Sequence, residues 1–344
     1  MISWVLIVTA TVTLLTMGTV IVASRALRRH DATSRGRPDQ VDEVETADGW
    51  HLQLSRYQGT GVPVIVCHGI ASSGRNLDLS VGRSIVRSLH ARGHDVWRLD
   101  LRGCGGSRQG PEDAPGITFD DFVRHDGPAA IAHVCEVTGQ DAVDWVGFSM
   151  GGIIGTALLG EPCGGGMRTL TIIGAPMKMR AGSAFSRLAR VGVGLFRRRG
   201  AVPLRVLSRL GAHLPSWVVA PFLRLLINPK NVAWTPMRLA MDQSVEDIPT
   251  GVLDQMTGWH ENEGGHVGSG DHGIDYVRRL EDAPPIPLLC ISGTGDRLGP
   301  VMATVPALAH HRGPRFLRVI GRGALKQVER WTPQGVTAQA RELP

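Results

Sequence analysis

The chain predicts an α/β fold: a mostly parallel sheet covered by helices on both faces. Short apolar runs of strand length recur along it, and amphipathic helical patterns lie between several of them. Its 344 residues are 42% apolar and 20% charged, which suits one large core carrying an insertion and excludes a coiled coil or a disordered tail.

The elements follow in order. Residues 41–46 and 50–57 are extended runs on either side of Asp48-Gly49, a pair that favours a hairpin turn. Residues 62–67 are continuously apolar, as a strand buried on both faces requires. A helix over 80–92 buries Ile85, Val86 and Leu89 and stops at Gly93. Further strands fall at 95–99, 144–147, 170–173, 287–292 and 316–320, with helices predicted over 120–138 and 150–159 and from about 301 to His310-His311.

Residues 2–23 carry no charged side chain, and at about 1.5 Å per helical residue they reach roughly 33 Å, enough to cross a bilayer core of about 30 Å. A transmembrane anchor is expected over 1–24 and a basic linker over 25–40. The basic residues Arg25, Arg28, Arg29, Arg35 and Arg37 all follow the apolar run, which places the folded part in the cytosol by the positive-inside rule. The expectation is a single-pass membrane protein with a cytoplasmic domain.

The strand rhythm breaks over 176–280, which reads as a helical insertion into a core formed by 41–175 and 281–344. No Asp or Glu occurs between Glu161 and Asp242, while thirteen Lys and Arg do. The net charge of +6 therefore hides a basic patch on an acidic body, which suggests contact with anionic lipid headgroups. A solvated, incidentally arginine-rich helix face fits the same charge. Nucleic-acid binding is not implied, because no recognition module accompanies the patch. The five cysteines show no CxxC spacing and no nearby histidine in ligand register, so neither a disulfide scaffold nor a zinc module is indicated. No metal or organic cofactor is implied.

The strongest chemical signal is Gly147-Phe148-Ser149-Met150-Gly151-Gly152, between a strand and a helix. A nucleophile on so tight a turn needs glycine two residues away on each side, because a Cβ there would crowd the backbone. Its hydroxyl is lifted from the sheet, and the following helix points its first amides at developing negative charge. An oxyanion needs two converging amides: Met150 can supply one, and Ile70, after the strand that ends in His68-Gly69, the other. His68 and Gly69 shape this binding loop, with His68 bracing it by hydrogen bonds.

Taken with Thr46-Ala47-Asp48-Gly49-Trp50-His51-Leu52, Asp100-Leu101-Arg102-Gly103-Cys104-Gly105-Gly106-Ser107 and Gly293-Thr294-Gly295-Asp296, these motifs give a chain that resembles the α/β-hydrolase superfamily, nearest its lipase and esterase branch. The resemblance covers about residues 41–320. It implies Ser149 as nucleophile, Asp296 as the acid that orients a histidine, and a cap between the strands at 170–173 and 287–292. It also implies a histidine after the last strand, where the sequence reads Gly321-Arg322-Gly323-Ala324-Leu325-Lys326. None occurs from Arg312 to Pro344, and the tail beyond Gly323 no longer resembles the family. His310 and His311 should lie at the far edge of the sheet, which leaves His260, His266 and His272 of the insertion as substitutes.

The expected function is that of a membrane-anchored serine hydrolase acting on apolar, lipid-like ester substrates through an acyl-enzyme. An acyltransferase would use the same groups. A catalytically silent relative that binds an apolar ligand is the third reading.

Overall fold

The computed structural model describes residues 37–80, 82–112, 116–179, 184–224, 227, 232–271, 273–321, 329–332 and 335–337. A ten-stranded sheet runs through it. Its strands are β1 (Gln40–Glu45), β2 (His51–Tyr57), β3 (Pro63–Cys67), β4 (Asp95–Asp100), β5 (Val143–Phe148), β6 (Met167–Ile173), β7 (Leu288–Gly293), β8 (Arg315–Ile320), β9 (Glu329–Thr332) and β10 (Gly335–Thr337). The spatial order is β1-β2-β4-β3-β5-β6-β7-β8-β9-β10. The six strands from β4 to β8 in this order are parallel, and antiparallel pairs close both edges.

The order explains where a site forms. From β3 the chain moves to β4 on one side and then to β5 on the other. The loops leaving β3 and β5 therefore diverge and open a crevice at their C-terminal ends. Register sets the level, because Cys67 pairs with both Leu99 and Gly147. His68, Asp100 and Phe148 thus leave the sheet together.

Buried helices hold the sheet from both sides. Helix α1 (Ile85–His90) starts at Ser84, whose hydroxyl accepts the Arg87 amide at 3.0 Å, a cap worth about 1 kcal/mol. The pattern over 80–92 had suggested a longer helix. Ser84 shortens it, because its extended backbone pairs with Asp78 in a small hairpin. A π-helical turn (Phe122–Asp126) leads into α2 (Gly127–Thr138), which ends where Gly139 adopts a left-handed φ of 66°. Helix α3 (Met150–Leu159) is buried at every position, so it reads as continuously apolar and not amphipathic. Gly155 lets it approach the sheet: a Cβ there would lie 2.5 Å from Trp145. The Trp145 indole then donates to the Gly151 carbonyl at 3.0 Å.

Between β6 and β7 lies the helical insertion, with α4 (Ala184–Phe196), α5 (Leu204–Gly211), α6 (Ser216–Leu223), α7 (Trp234–Gln243) and α8 (Thr250–Gly258). After β7, α9 (Val301–His310) packs on the sheet through Ala307 and Leu308. Ala189 and Val193 of α4 pack with Leu253 of α8 against Ile70 and Ala71, which roots the insertion on the loop after β3. The opposite side of α4 exposes Leu188, Val191 and Leu195.

The anchored architecture needs correction. No helix among the described residues is long and apolar enough to cross a membrane, and the fold is an α/β core with a helical insertion. The segment 2–23, on which the single-pass topology and the cytoplasmic placement rested, lies outside the described residues, as does the basic linker up to residue 36. Neither expectation is carried further.

Filling the space at Gly155 tests the helix-to-sheet contact. A Gly155→Leu substitution should destabilise the protein by about 1–3 kcal/mol or more through overpacking against Trp145, seen as a lower urea midpoint. A midpoint unchanged from wild type would mean that α3 does not press on Trp145.

Candidate active site

Ser149 occupies the turn between β5 and α3 with φ 50° and ψ −116°, a conformation that side chains other than glycine rarely adopt. The two flanking glycines make the turn sterically feasible. A Cβ on Gly147 would lie 2.2 Å from the Gly151 carbonyl oxygen, and one on Gly151 would lie 2.4 Å from that of Cys67. The turn is tied down by Ser149 N–H donating to the Ile173 carbonyl at 2.8 Å. The hydroxyl has no hydrogen-bond partner among the described residues.

Gly69 brings the neighbouring loop against it. The point a Cβ on Gly69 would occupy is 3.1 Å from the Ser149 Cβ. Ile70 follows directly, and Ala71 holds a left-handed φ of 57°. Neither the Ile70 amide nor that of Met150, the first of α3, meets an acceptor among the described residues, and helix geometry leaves the latter unpaired in any case.

His68 is fully buried and has both ring nitrogens engaged. Nε2 accepts the Leu101 amide at 3.2 Å, so Nδ1 carries the proton and donates to the Gly69 carbonyl at 2.9 Å. Burial lowers its pKa, against the raising influence of Asp100. The neutral ring therefore ties the β3 loop to the β4 loop.

Three buried acids fix these loops. Asp100 accepts the Gly74 amide at 2.7 Å and the Gly106 amide at 3.1 Å. Asp126, wholly buried, accepts from the Arg102 backbone at 2.9 Å and from its guanidinium at 2.6 Å. Burial pushes the Asp126 carboxyl up to about 6 against the pull of Arg102. Glu246 comes from the insertion, accepting the Gly105 amide at 3.2 Å and the Arg108 guanidinium at 2.6 Å, while its own amide donates to the Ala71 carbonyl at 3.0 Å. Sequence reading passed over Glu246. Its one signal is being among the first acids after a long acid-free stretch.

Asp296 lies in the turn after β7. Its Oδ1 accepts the amides of Leu298 and Gly299 at 2.9 and 2.8 Å. Oδ2 lies 3.5 Å from where a Cβ on Gly174 would stand, and Gly174 ends β6 beside Ser149. The structure thus gathers Ser149, Met150, Gly69, Ile70 and Asp296 at the C-terminal ends of β3, β5, β6 and β7.

Four histidines late in the chain are engaged elsewhere. His260 Nδ1 bonds the Thr257 carbonyl at 2.6 Å, His266 pairs with Asp275 at 3.0 Å and His310 with Glu281 at 2.6 Å. His311 is buried against the Ile286 carbonyl, ahead of β7 and so at the other end of the sheet. His272 lies outside the described residues. A cleft of about 450 Å³ lined in part by Glu263, Asp275 and Arg278 sits within the insertion and includes none of the gathered residues. Among the described residues no group of three or more His, Cys, Asp and Glu is placed to hold a metal ion.

A family model for the alpha/beta hydrolase fold matches residues 62–323. The chain belongs to the α/β-hydrolase fold family. Gastric triacylglycerol lipase of Rattus norvegicus is 31% identical over 136 residues, 35% of this chain and 34% of that protein. The Homo sapiens enzyme of the same name is 29% identical over the same length. The match thus spans about a third of these relatives. Among solved structures, a hydrolase from Pseudomonas aeruginosa PA01 aligns with a TM-score of 0.52 at 16% identity, covering 82% of this chain and 90% of that one. An esterase from Exiguobacterium antarcticum gives 0.51 at 16%, covering 82% and 91%. These structural likenesses establish the fold alone.

The ion pairs under the loops predict an acid limb of stability. Burial opposes ionisation of Asp48, yet hydrogen bonds from Arg102 and Thr46 outweigh it and hold the carboxyl at about 2. That is below the unfolded value of about 3.9, so the contribution is complete above about pH 4 and lost as the pH falls through about 2. An Asp48→Asn substitution should cost about 1 kcal/mol at pH 7, after solvent screening of a partly exposed carboxylate, and progressively less toward pH 2. Urea midpoints across this range measure it, and a cost independent of pH would place the effect elsewhere.

Proposed function

We propose that this α/β hydrolase cleaves carboxylic esters through Ser149. The amides of Met150 and Ile70 receive the oxyanion, and Asp296 orients the group that moves the proton. The observation that carries this reading is the strained backbone of Ser149 at the sheet's switch point, against the Gly69 loop. Strain of this kind persists only where surrounding structure enforces it, and it clusters at functional sites. The apolar ester substrate draws support from relatives named as triacylglycerol lipases. Contact with membrane lipids is not carried further, since no helix among the described residues can cross a membrane.

Attack by the hydroxyl oxygen on the carbonyl carbon would give an acyl-Ser149, released by water. An alcohol in place of water would make the same site an acyltransferase. Proton transfer is the weak step, because none of the described histidines whose hydrogen bonds are given above has a ring nitrogen at Ser149. Losing a triad member can cost about 10⁴ to 10⁶ in rate. That observation favours a second reading, a catalytically silent relative that holds an apolar ligand over the same turn.

A fluorophosphonate probe separates the two. Under the hydrolase reading it labels Ser149, the label is lost in Ser149→Ala, and activated aryl esters turn over slowly, far below a typical enzyme rate of about 10 per second. Alkyl esters, with poorer leaving groups, turn over little or not at all. Absence of labelling in folded protein selects the silent reading.

A further inference from the structure

Among the described residues, Ala71 and Ser149 are the two other than glycine that hold a positive φ, at 57° and 50°. The Ser149 turn is explained by its flanking glycines, whereas strain at Ala71 needs a constraint of its own. The insertion supplies it. Ser72 bridges Val245 in antiparallel fashion, with the Ser73 amide donating to the Ser244 carbonyl at 2.9 Å and the Glu246 amide to the Ala71 carbonyl at 3.0 Å. The buried Glu246 carboxylate is anchored in turn by the Gly105 amide and the Arg108 guanidinium. Ile70 and Ala71 also pack on Val193 and Leu253 of the insertion.

One peptide plane carries this hold to the site. The Gly69 carbonyl accepts from two donors, His68 Nδ1 at 2.9 Å and the Ser72 hydroxyl at 3.0 Å, which uses both lone pairs of its oxygen. In a trans peptide the N–H of the next residue points opposite to that carbonyl, so the same two bonds set the direction of the Ile70 amide. Ser72 thus aims an amide it never touches. We propose that the insertion is a fixed part of the oxyanion site, with Glu246 and Ser72 as positioning residues for the Ile70 N–H. This rests on the hydrolase reading above and names what makes its oxyanion donor competent. A donor aimed at developing charge loses most of its value when it turns away, because a hydrogen bond weakens steeply with angle. An insertion that lifted off this edge as a free lid would release Ser72 and Ala71 together and undo the site it uncovers.

The test compares fluorophosphonate labelling rates and p-nitrophenyl acetate kinetics of the full chain with those of its variants. Ser72→Ala should label at least about tenfold more slowly and lose kcat by a similar factor, with KM within about threefold, since the oxyanion forms only in the reaction. Ser72→Thr, which keeps the hydroxyl, should recover to within about threefold of wild type. Glu246→Ala should follow Ser72→Ala, and Glu246→Gln, whose amide oxygen can still accept from Gly105, should lie between. Arg108→Ala removes only a partly exposed partner of Glu246 and should slow labelling by about threefold or more even if Glu246→Ala fails to fold. Asp144→Asn, at the opposite end of β5 where the carboxylate pairs with Arg168, should lower the urea midpoint and leave labelling unchanged. Equal slowing there assigns the effect to stability and overturns the inference. Wild-type rates in folded Ser72→Ala, or a loss carried by KM alone, also overturn it and leave the hydrolase reading standing. Absence of labelling in wild-type protein folded by circular dichroism overturns the hydrolase reading, and this inference with it.

Discussion

The close approach of Gly147 to the Gly151 backbone across one turn is the constraint on which the site depends. Two backbone segments meet where no β-carbon fits, so the chain reverses from strand to helix within a few residues and Ser149 is forced out of the sheet at a positive φ. The Cys67 carbonyl lies against Gly151 in the same way, and the Ser149 amide is bonded to Ile173. Three parallel strands therefore converge on one serine. A bulkier residue at either glycine would push β3 away from β5 and dismantle the site as well as the turn.

Around this turn, buried carboxylates do the work that regular hydrogen bonding does within the sheet. Asp100, Asp126 and Glu246 each accept bonds from backbone amides of irregular loops, which would otherwise be buried without partners. Glu246 joins the insertion to the loops after both β3 and β4, and Ser73 is bonded to the carbonyl of nearby Ser244. The insertion is thus built into the site's wall. Ala189 and Val193 close it over Ile70 by apolar contact, which carries no directional preference.

The insertion's charge has a structural reading. Arg205 lies near Glu246, and Arg209 donates to the Asp242 carbonyl, so part of the basic window is spent on internal contacts. Arg197, Arg198 and Arg199 remain exposed on a turn closed by Gly200 at φ 75°. Composition alone drew no distinction between these two groups.

What the sequence determined by itself is what short-range chemistry dictates. The alternation of strand and helix, the glycine-flanked serine and the bracing histidine were legible, because each depends on residue type at fixed local spacing, whereas the acid after a late strand was implied only by the family resemblance. The elbow conformation needs only Gly147 and Gly151, and the parallel core needs only continuous apolar runs such as 62–67. Tertiary structure decided the rest. The start of α1 at Ser84, the pair of strands after β8 and the role of Glu246 depend on partners far along the chain. So did the fate of the histidines, since any imidazole can be a base until its neighbours are known. His68, His266, His310 and His311 are each claimed by a carbonyl, amide or carboxylate whose position the sheet and the insertion set, and this long-range geometry is what separates a bracing ring from a reactive one.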